Sequence, residues 1–353
     1  MTSAPSLRLV TSAVERHEQA ALVADAARAP SAHNVQPARW RFLGDTRVLL
    51  LADPARVLPA CDPAGHDIEA SLGAAWEGMR LACSLRGRHL AEPHRTAAAL
   101  HGCSGSGPHR PVAVGVVGEP GSARSPDPDA ALVWSRRAWR GRFAAATPVQ
   151  HAALRDAVAR WRPPVRIAIL DERAHVASCA RWHDEAGGRV IRQRAVVEEL
   201  GEWMRFSPSD VRWHRDGLTA EALALGAAER WAARWLLQWP VLRVLSTMGA
   251  DRLLVSEQAQ VASAAALVAL VTPVALPSFD VGRHFYRAWL AITRAGLAAC
   301  PLSALTDDEL TQRQLQALLR VDPDERVAAV FRVGPPSDVP AESPRLPTHE
   351  LIV

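Results

Sequence analysis

The chain has 353 residues, 48% of them hydrophobic and 22% charged, a balance that suits a folded protein with a large core or two domains and excludes disorder. Its net charge of +4 is weak support for nucleic-acid binding, because the positive charge is spread through a chain also rich in Asp and Glu. All 41 basic residues are Arg, which excludes a P-loop lysine, a Schiff-base lysine and a Tyr-Lys dehydrogenase pair, and leaves anion binding to guanidinium groups or backbone donors.

In chain order, Ser12 with Glu15 predicts a capping box for a helix running to about Ala29. Pro30 ends that helix and Pro37 prevents another from starting, so the residues between form a loop. Its Ser31, Asn34 and Gln36 can each donate and accept hydrogen bonds. On composition alone an Asx/Ser turn explains them better than a heteroaromatic ligand does. Strands are expected at 39–43 and 47–52, and a helix from about Asp67 stops at Gly87, a C′ glycine. The glycine-rich runs 102–107 and 115–121 read as loops, and 112–117 as a buried strand. The turn-forming stretch 118–129 reads as a linker and divides the chain into halves 1–125 and 126–353.

After the linker comes the basic run Ser135 to Phe143, whose plain reading is a solvated face or, with Trp134 and Trp139, a nucleic-acid contact. Thr147-Pro148 with Gln150 caps a helix to about Trp161, and 165–170 is a strand. An excursion at 199–249 holds Trp203, Met204, Phe206 and Trp213. Its Trp231, Trp235 and Trp239 recur at helical spacing before Pro240, which predicts a core stripe. A buried strand at 264–272, a helix from about Asp280 to Gly296 and a strand at 327–333 follow. Gly73, Leu81, Ala82 and Gly87 recur as Gly282, Leu290, Ala291 and Gly296, each 209 positions later, which predicts an internal duplication. Cys61, Cys83, Cys103, Cys179 and Cys300 form no CxxC pair and the histidines no HExxH spacing, so neither a disulfide framework nor a metal site is expected. No leader pattern and no apolar run long enough for a bilayer are visible. A cytoplasmic protein with no membrane and no nucleic-acid partner is expected.

Pro30-Ser31-x-x-Asn34-x-Gln36-Pro37, followed by Trp40-Arg41-Phe42, resembles the signature of the FMN-dependent nitroreductase superfamily. The Ala-Pro-Ser-x-His-Asn form in a chain of this length is similar to the Acg-type branch. The resemblance implies an α+β, nitroreductase-like fold in which two fused half-repeats form a pseudo-twofold intrachain dimer with one flavin site. It places Pro30, Ser31, Ala32, Asn34 and Gln36 against the isoalloxazine ring, with Ala38 standing where the family usually has Trp. The run Arg136-Arg137-Ala138-Trp139-Arg140 is similar to the family's Arg-Arg-Ser-x-Arg start, which implies Arg136 on the FMN phosphate and Arg140 near the ribityl chain and pyrimidine edge; Ala138 replaces a Ser or Thr. Phe331-Arg332-Val333-Gly334 and Ser343-Pro344-Arg345-Leu346-Pro347 resemble the closing strand and basic tail, implying Arg345 on the phosphate. Leu302 and Ser303 fall where the family sets a backbone N–H against flavin N5.

Only Arg8 precedes the first helix, and Trp161-Arg162-Pro163-Pro164 stands where a second loop would be, so one composite site per chain is expected. The implied function is transfer of hydride from NAD(P)H through FMN to an electron-poor small molecule, a specialised-metabolite intermediate being one such acceptor. No catalytic side chain is named, since the cofactor carries the chemistry. The alternative is an FMN-binding storage protein without turnover, with the excursion as a lid that shuts acceptors out. With a pseudodimer inside the chain, a monomer or weak homodimer is expected.

Overall fold

A computed structural model describes residues 14–44, 46–101, 103, 107–123, 125–162, 164–236, 238–247 and 256–353. Ser12, Gly102, the 104–106 run, Pro163 and residues 237, 248 and 249 of the excursion lie outside the described residues.

Helix α1 (Arg16–Ala26) opens at Glu15 without a side-chain cap and stops three residues short of the expected end. Strands β1 (Ala38–Leu43), β2 (Arg47–Ala52) and β3 (Arg110–Val116) form an antiparallel sheet in the order β1-β2-β3. Gly115, expected in a loop, pairs within β3 opposite Val48, where its missing side chain makes room for the Trp76 ring. Between β2 and β3 run α2 (His66–Leu85) and the short α3 (Ala97–Leu100). Gly87 ends the α2 region at φ 65°, as a C′ glycine does. Among the described residues of the 118–129 stretch there is no helix or strand.

The second part begins with α4 (Pro148–Ala159), whose Thr147 and Gln150 form the expected reciprocal capping box. Then follow β4 (Arg166–Leu170), α5 (Arg173–Val190), α6 (Arg194–Trp203), β5 (Met204–Arg205), β6 (Leu218–Thr219), α7 (Ala227–Leu236), α8 (Trp239–Thr247) and α9 (Gln258–Ala262). The chain closes with β7 (Ala266–Pro273), α10 (Ser278–Arg294), β8 (Ala298–Pro301), α11 (Ala304–Asp307), α12 (Glu309–Leu319), β9 (Glu325–Gly334) and α13 (Thr348–Leu351). The second sheet is antiparallel in the order β4-β7-β9-β8. Strand β7 is apolar from Ala266 to Val271 because both its faces are covered. Leu267, Ala269 and Val271 join the core holding Val176 and Leu315, whereas Ala266, Val268 and Leu270 join the core holding Trp289 and Ile292.

Helices α2 and α10 cross at two glycines. A Cβ on Gly73 would lie 1.7 Å from the Phe279 carbonyl oxygen, and one on Gly282 would lie 1.8 Å from that of Ala70. The two contacts exchange roles under the 209-residue offset read from the sequence, as expected of an isologous contact. Beside the crossing, Glu77 is 3% exposed and pairs with Arg80, Arg283 and Arg287. Asp127 pairs with Arg80 and Arg287, and Asp129 with Arg287 and Arg294, so acids of the linker lock onto α10.

The tryptophan stripe departs from expectation. Trp231 is 71% and Trp235 48% exposed, so neither is core. Pro240 does not end a helix but sits in the first turn of α8, where its missing N–H leaves no partner unserved. Trp239 therefore belongs to a different helix from the other two, and packs against Ile191, Val197 and Leu242. All five cysteines are free thiols. Among the described residues no helix is long and apolar enough to cross a membrane, and no group of three or more His, Cys, Asp or Glu side chains could hold a metal.

Candidate functional site: a buried arginine cluster beside a strained loop

Three segments far apart in sequence converge next to the loop that follows α1. The loop contains a 3-10 turn over Ala32–Asn34, and His33, Asn34 and Gln36 all have positive φ, at 45°, 56° and 54°. Such backbone costs about 1 kcal/mol or more per non-glycine residue and persists only where the surroundings fix it. Here they do. The Ser31 hydroxyl accepts from Gln36 N at 3.0 Å, and Ala32 N donates to Ser71 Oγ of α2 at 3.0 Å. Asn34 Nδ2 donates to the carbonyls of Gly217 and Pro344, while its Oδ1 accepts from Arg345 Nη1 at 2.9 Å. Gln36 Nε2 donates to Arg215 O at 2.8 Å, and its Oε1 accepts from Leu346 N at 2.8 Å. The amides of Asn34 and Gln36 thus tie the loop to the C-terminal tail and to residues 215–217 of the excursion. The cleft along Pro30, Ser31, Gln36, Pro37 and Ala38 holds about 30 Å³.

Behind the loop lies the charge. Arg136 is buried, donates from Nη2 to Arg28 O at 3.1 Å, and stacks 4.4 Å over Trp289. Its Nε and the hydroxyl of Tyr286 have no hydrogen-bond partner. Arg345 donates to the carbonyls of Ala27, Arg28 and Pro344 as well as to Asn34. Burial lowers Arg136 to about 10, and burial with Arg136 and Arg28 as neighbours lowers Arg345 to about 9. Arg28 stacks on Trp134 and pairs with Glu342, which also lies 3.7 Å from Arg137. Of these four guanidinium groups only Arg28 and Arg137 pair with a carboxylate, that of Glu342, and it is half exposed. Buried charge is ordinarily balanced in place. This cluster has the composition of an anion site, with an orphaned donor already in it.

The other expected residues fall around this centre. Arg137 turns outward, donating to the carbonyls of Trp134 and Arg136. Ala138 bridges Ala299 of β8. Arg140 donates to Ala222 O of the excursion at 3.4 Å and lies close enough to His33 to affect it. Burial, with Arg140 second, lowers His33 to about 4, so the ring is neutral at pH 7; its Nδ1 is buried without a partner. Leu302 departs from the implied role, because its N–H is spent on Val330 O at 2.8 Å inside the sheet. Ser303 is exposed at the start of α11. Near it, burial, with repulsion from Asp62 in the one case and from Asp67 in the other, holds the carboxyl groups of Asp67 and Asp307 above the usual range. The sequence reading missed Arg28, Tyr286, Glu342 and Ser71. Arg28 stands two residues before Pro30 and Tyr286 is the only tyrosine, but neither fact identifies a role.

Fold and site together define an α+β protein with an arginine-rich cluster beside a strained loop. No protein-family model matches the sequence, and no curated protein matches it. Among solved structures, an FMN-dependent nitroreductase from Mycobacterium smegmatis in complex with NADPH is 17% identical at a TM-score of 0.38, over 62% of this chain and 94% of that one. Iodotyrosine deiodinase bound to FMN and 3-iodo-L-tyrosine is 15% identical at 0.35, with the same coverage. A nitroreductase with bound FMN from Bacteroides fragilis is 14% identical at 0.33, again over 62% and 94%. Likenesses this distant assign no activity, and the reading below rests on the chain's own residues.

Proposed function

We propose that the chain is an FMN-dependent oxidoreductase that takes hydride from NAD(P)H and passes it to an electron-poor small molecule, with one flavin site shared by two fused, duplicated halves at 1–125 and 126–353. The observation that carries this reading is the cluster of the buried Arg28 and Arg136 with the half-buried Arg345, together with the unpartnered Arg136 Nε and Tyr286 hydroxyl. A dianionic phosphomonoester matches that donor set in charge and in its need for several donors. Arg136 and Arg345 are also the two residues that the family resemblance assigns to the FMN phosphate. FMN, when bound, would supply the hydride chemistry itself.

The chain's residues bind and orient. Arg28, Arg136 and Arg345 would hold the phosphate end, the Pro30–Gln36 loop would lie along the ring, and Arg140 would face the pyrimidine edge, where a fixed positive charge favours a reduced, anionic ring. His33, neutral beside Arg140, adds no competing charge there. The reciprocal crossing of Gly73 and Gly282, and the matching order of β1-β2-β3 and β4-β7-β9 with β8 additional in the second sheet, support the duplication. A second reading, flavin storage without turnover, is favoured by one observation. Residues 215–222 of the excursion bond directly to the loop and to Arg140, as a closed lid would.

The test is the visible absorbance of the purified protein, alone and with added FMN. The native chain should carry or take up FMN, and the Arg136→Ala, Arg345→Ala double variant should not, with circular dichroism confirming that the variant folds. A native protein that refuses FMN overturns the reading. Rapid bleaching of bound FMN by NADH or NADPH supports turnover; a flavin inert to both supports storage.

A further inference from the structure

Helix α7 reverses the usual order of a surface helix, whose solvent side is polar. Trp231 and Trp235, one turn apart, are 71% and 48% exposed, and Arg234 stands exposed between them, while Ala232 and Ala233 take the half-buried positions. On α8, Arg243 and Val244 are also exposed. Many arginines of the chain are paired with carboxylates, and among the described residues Arg234 and Arg243 are not. The one acid on these helices, Glu229, is turned back to accept from Gly226 N at 2.8 Å. Two large rings and the Arg234 guanidinium therefore share one face of α7, and Arg243 is exposed on the neighbouring α8.

We propose that the α7–α8 surface docks on the headgroup layer of an anionic phospholipid membrane, lying in the interface without crossing it. Indole rings settle at the level of the headgroups, and arginines beside them meet lipid phosphates. The charge is complementary, since α7 and α8 carry Arg230, Arg234 and Arg243 against Glu229 alone. A protein partner fits less well. Ten helical residues span about 15 Å, which is short for an interface that must bury about 1,000 Å² or more. The expectation of no membrane partner came from the lack of a spanning segment, and a helix lying on the surface needs none. The same excursion reaches Arg140 through Ala222, so docking takes place close to the candidate site. The proposal does not depend on flavin binding.

The experiment is cosedimentation of the full chain with vesicles of phosphatidylglycerol or of phosphatidylcholine alone. Binding to the anionic vesicles, at least tenfold weaker to the zwitterionic ones and weakened by 0.5 M salt, is expected. Trp231→Ser with Trp235→Ser should reduce it at least tenfold while leaving the circular dichroism spectrum unchanged. Arg234→Glu with Arg243→Glu should abolish it, whereas Arg16→Glu with Arg160→Glu, an equal charge change at exposed sites elsewhere, should not. No binding to anionic vesicles, or binding indifferent to the tryptophans, overturns the proposal. So does a native chain that dimerises in sedimentation velocity and becomes monomeric in the tryptophan variant, which would make this face an interface between copies.

Discussion

Replacing Gly73 by Ala tests the α2–α10 crossing directly. The new Cβ would lie 1.7 Å from the Phe279 carbonyl oxygen, 2.6 Å from its carbon and 3.0 Å from its Cα. Ordinary contact begins at 3.4 Å, so the helices must part by roughly 1.5–2 Å, and no side-chain rotation can relieve a clash with backbone. Overpacking of this kind costs about 1–3 kcal/mol or more, of which the better helix propensity of Ala returns about 1 kcal/mol. A backbone clash belongs at the upper end, so a net loss of about 2 kcal/mol is expected in urea denaturation followed at 222 nm. Gly282→Ala, 1.8 Å from the Ala70 oxygen, should cost the same within about 0.5 kcal/mol. The double variant should cost less than the sum, because helices parted for one methyl also admit the other. Native stability in Gly73→Ala would refute the close crossing, and strict additivity would refute the coupling.

Glu77→Ala should cost about 3 kcal/mol, since it leaves Arg80, Arg283 and Arg287 around an empty site; a loss below about 1 kcal/mol in the same assay would mean that Asp127 and Asp129 suffice. His33 has a folded pKa of about 4 against an unfolded value of about 6.5, so folding favours the neutral ring. Its contribution is complete above pH 6.5 and is lost as pH falls towards 4, at most about 3 kcal/mol; His33→Gln should flatten stability over that window, and an unchanged slope would sink the assignment. Arg136→Met should abolish FMN uptake yet raise the melting temperature of the flavin-free protein, because it removes an unbalanced buried charge; a lower melting temperature would show that stacking on Trp289 outweighs that charge.

Local chemistry was legible wherever a few adjacent residues decide the outcome. Thr147, Pro148 and Gln150 fix a helix start among themselves, and Gly87 and Gly296 fix helix ends through a single backbone conformation. The tryptophan stripe was misread because periodicity reports that residues share a face, not which side the core lies on. It also assumes an unbroken helix, and the break between Leu236 and Trp239 voids the third member. Arg136 and Arg345 were singled out only through family resemblance, and Arg28, Glu342 and Tyr286, which the fold places beside them, were not singled out at all. Nothing near them in sequence distinguishes them from the chain's other surface arginines and acids; only the folded chain puts them around one point. Leu302 shows the opposite failure, a residue in the expected place whose N–H the sheet already uses.

Two unfavourable features of the molecule sit together. Three non-glycine residues with positive φ lie in one loop, and the depressed guanidinium groups of Arg136 and Arg345 lie directly behind it, bonded to it through Asn34. Each alone has a structural explanation, a tight turn or a cation stacked on a ring. Together they cost several kcal/mol at one place, in a chain whose other half-buried arginines are mostly matched to carboxylates. The reciprocal α2–α10 crossing and the Glu77 network supply stability elsewhere that can carry such a site. Local rules broken jointly at one point, and kept around it, are the pattern on which the proposed flavin site rests.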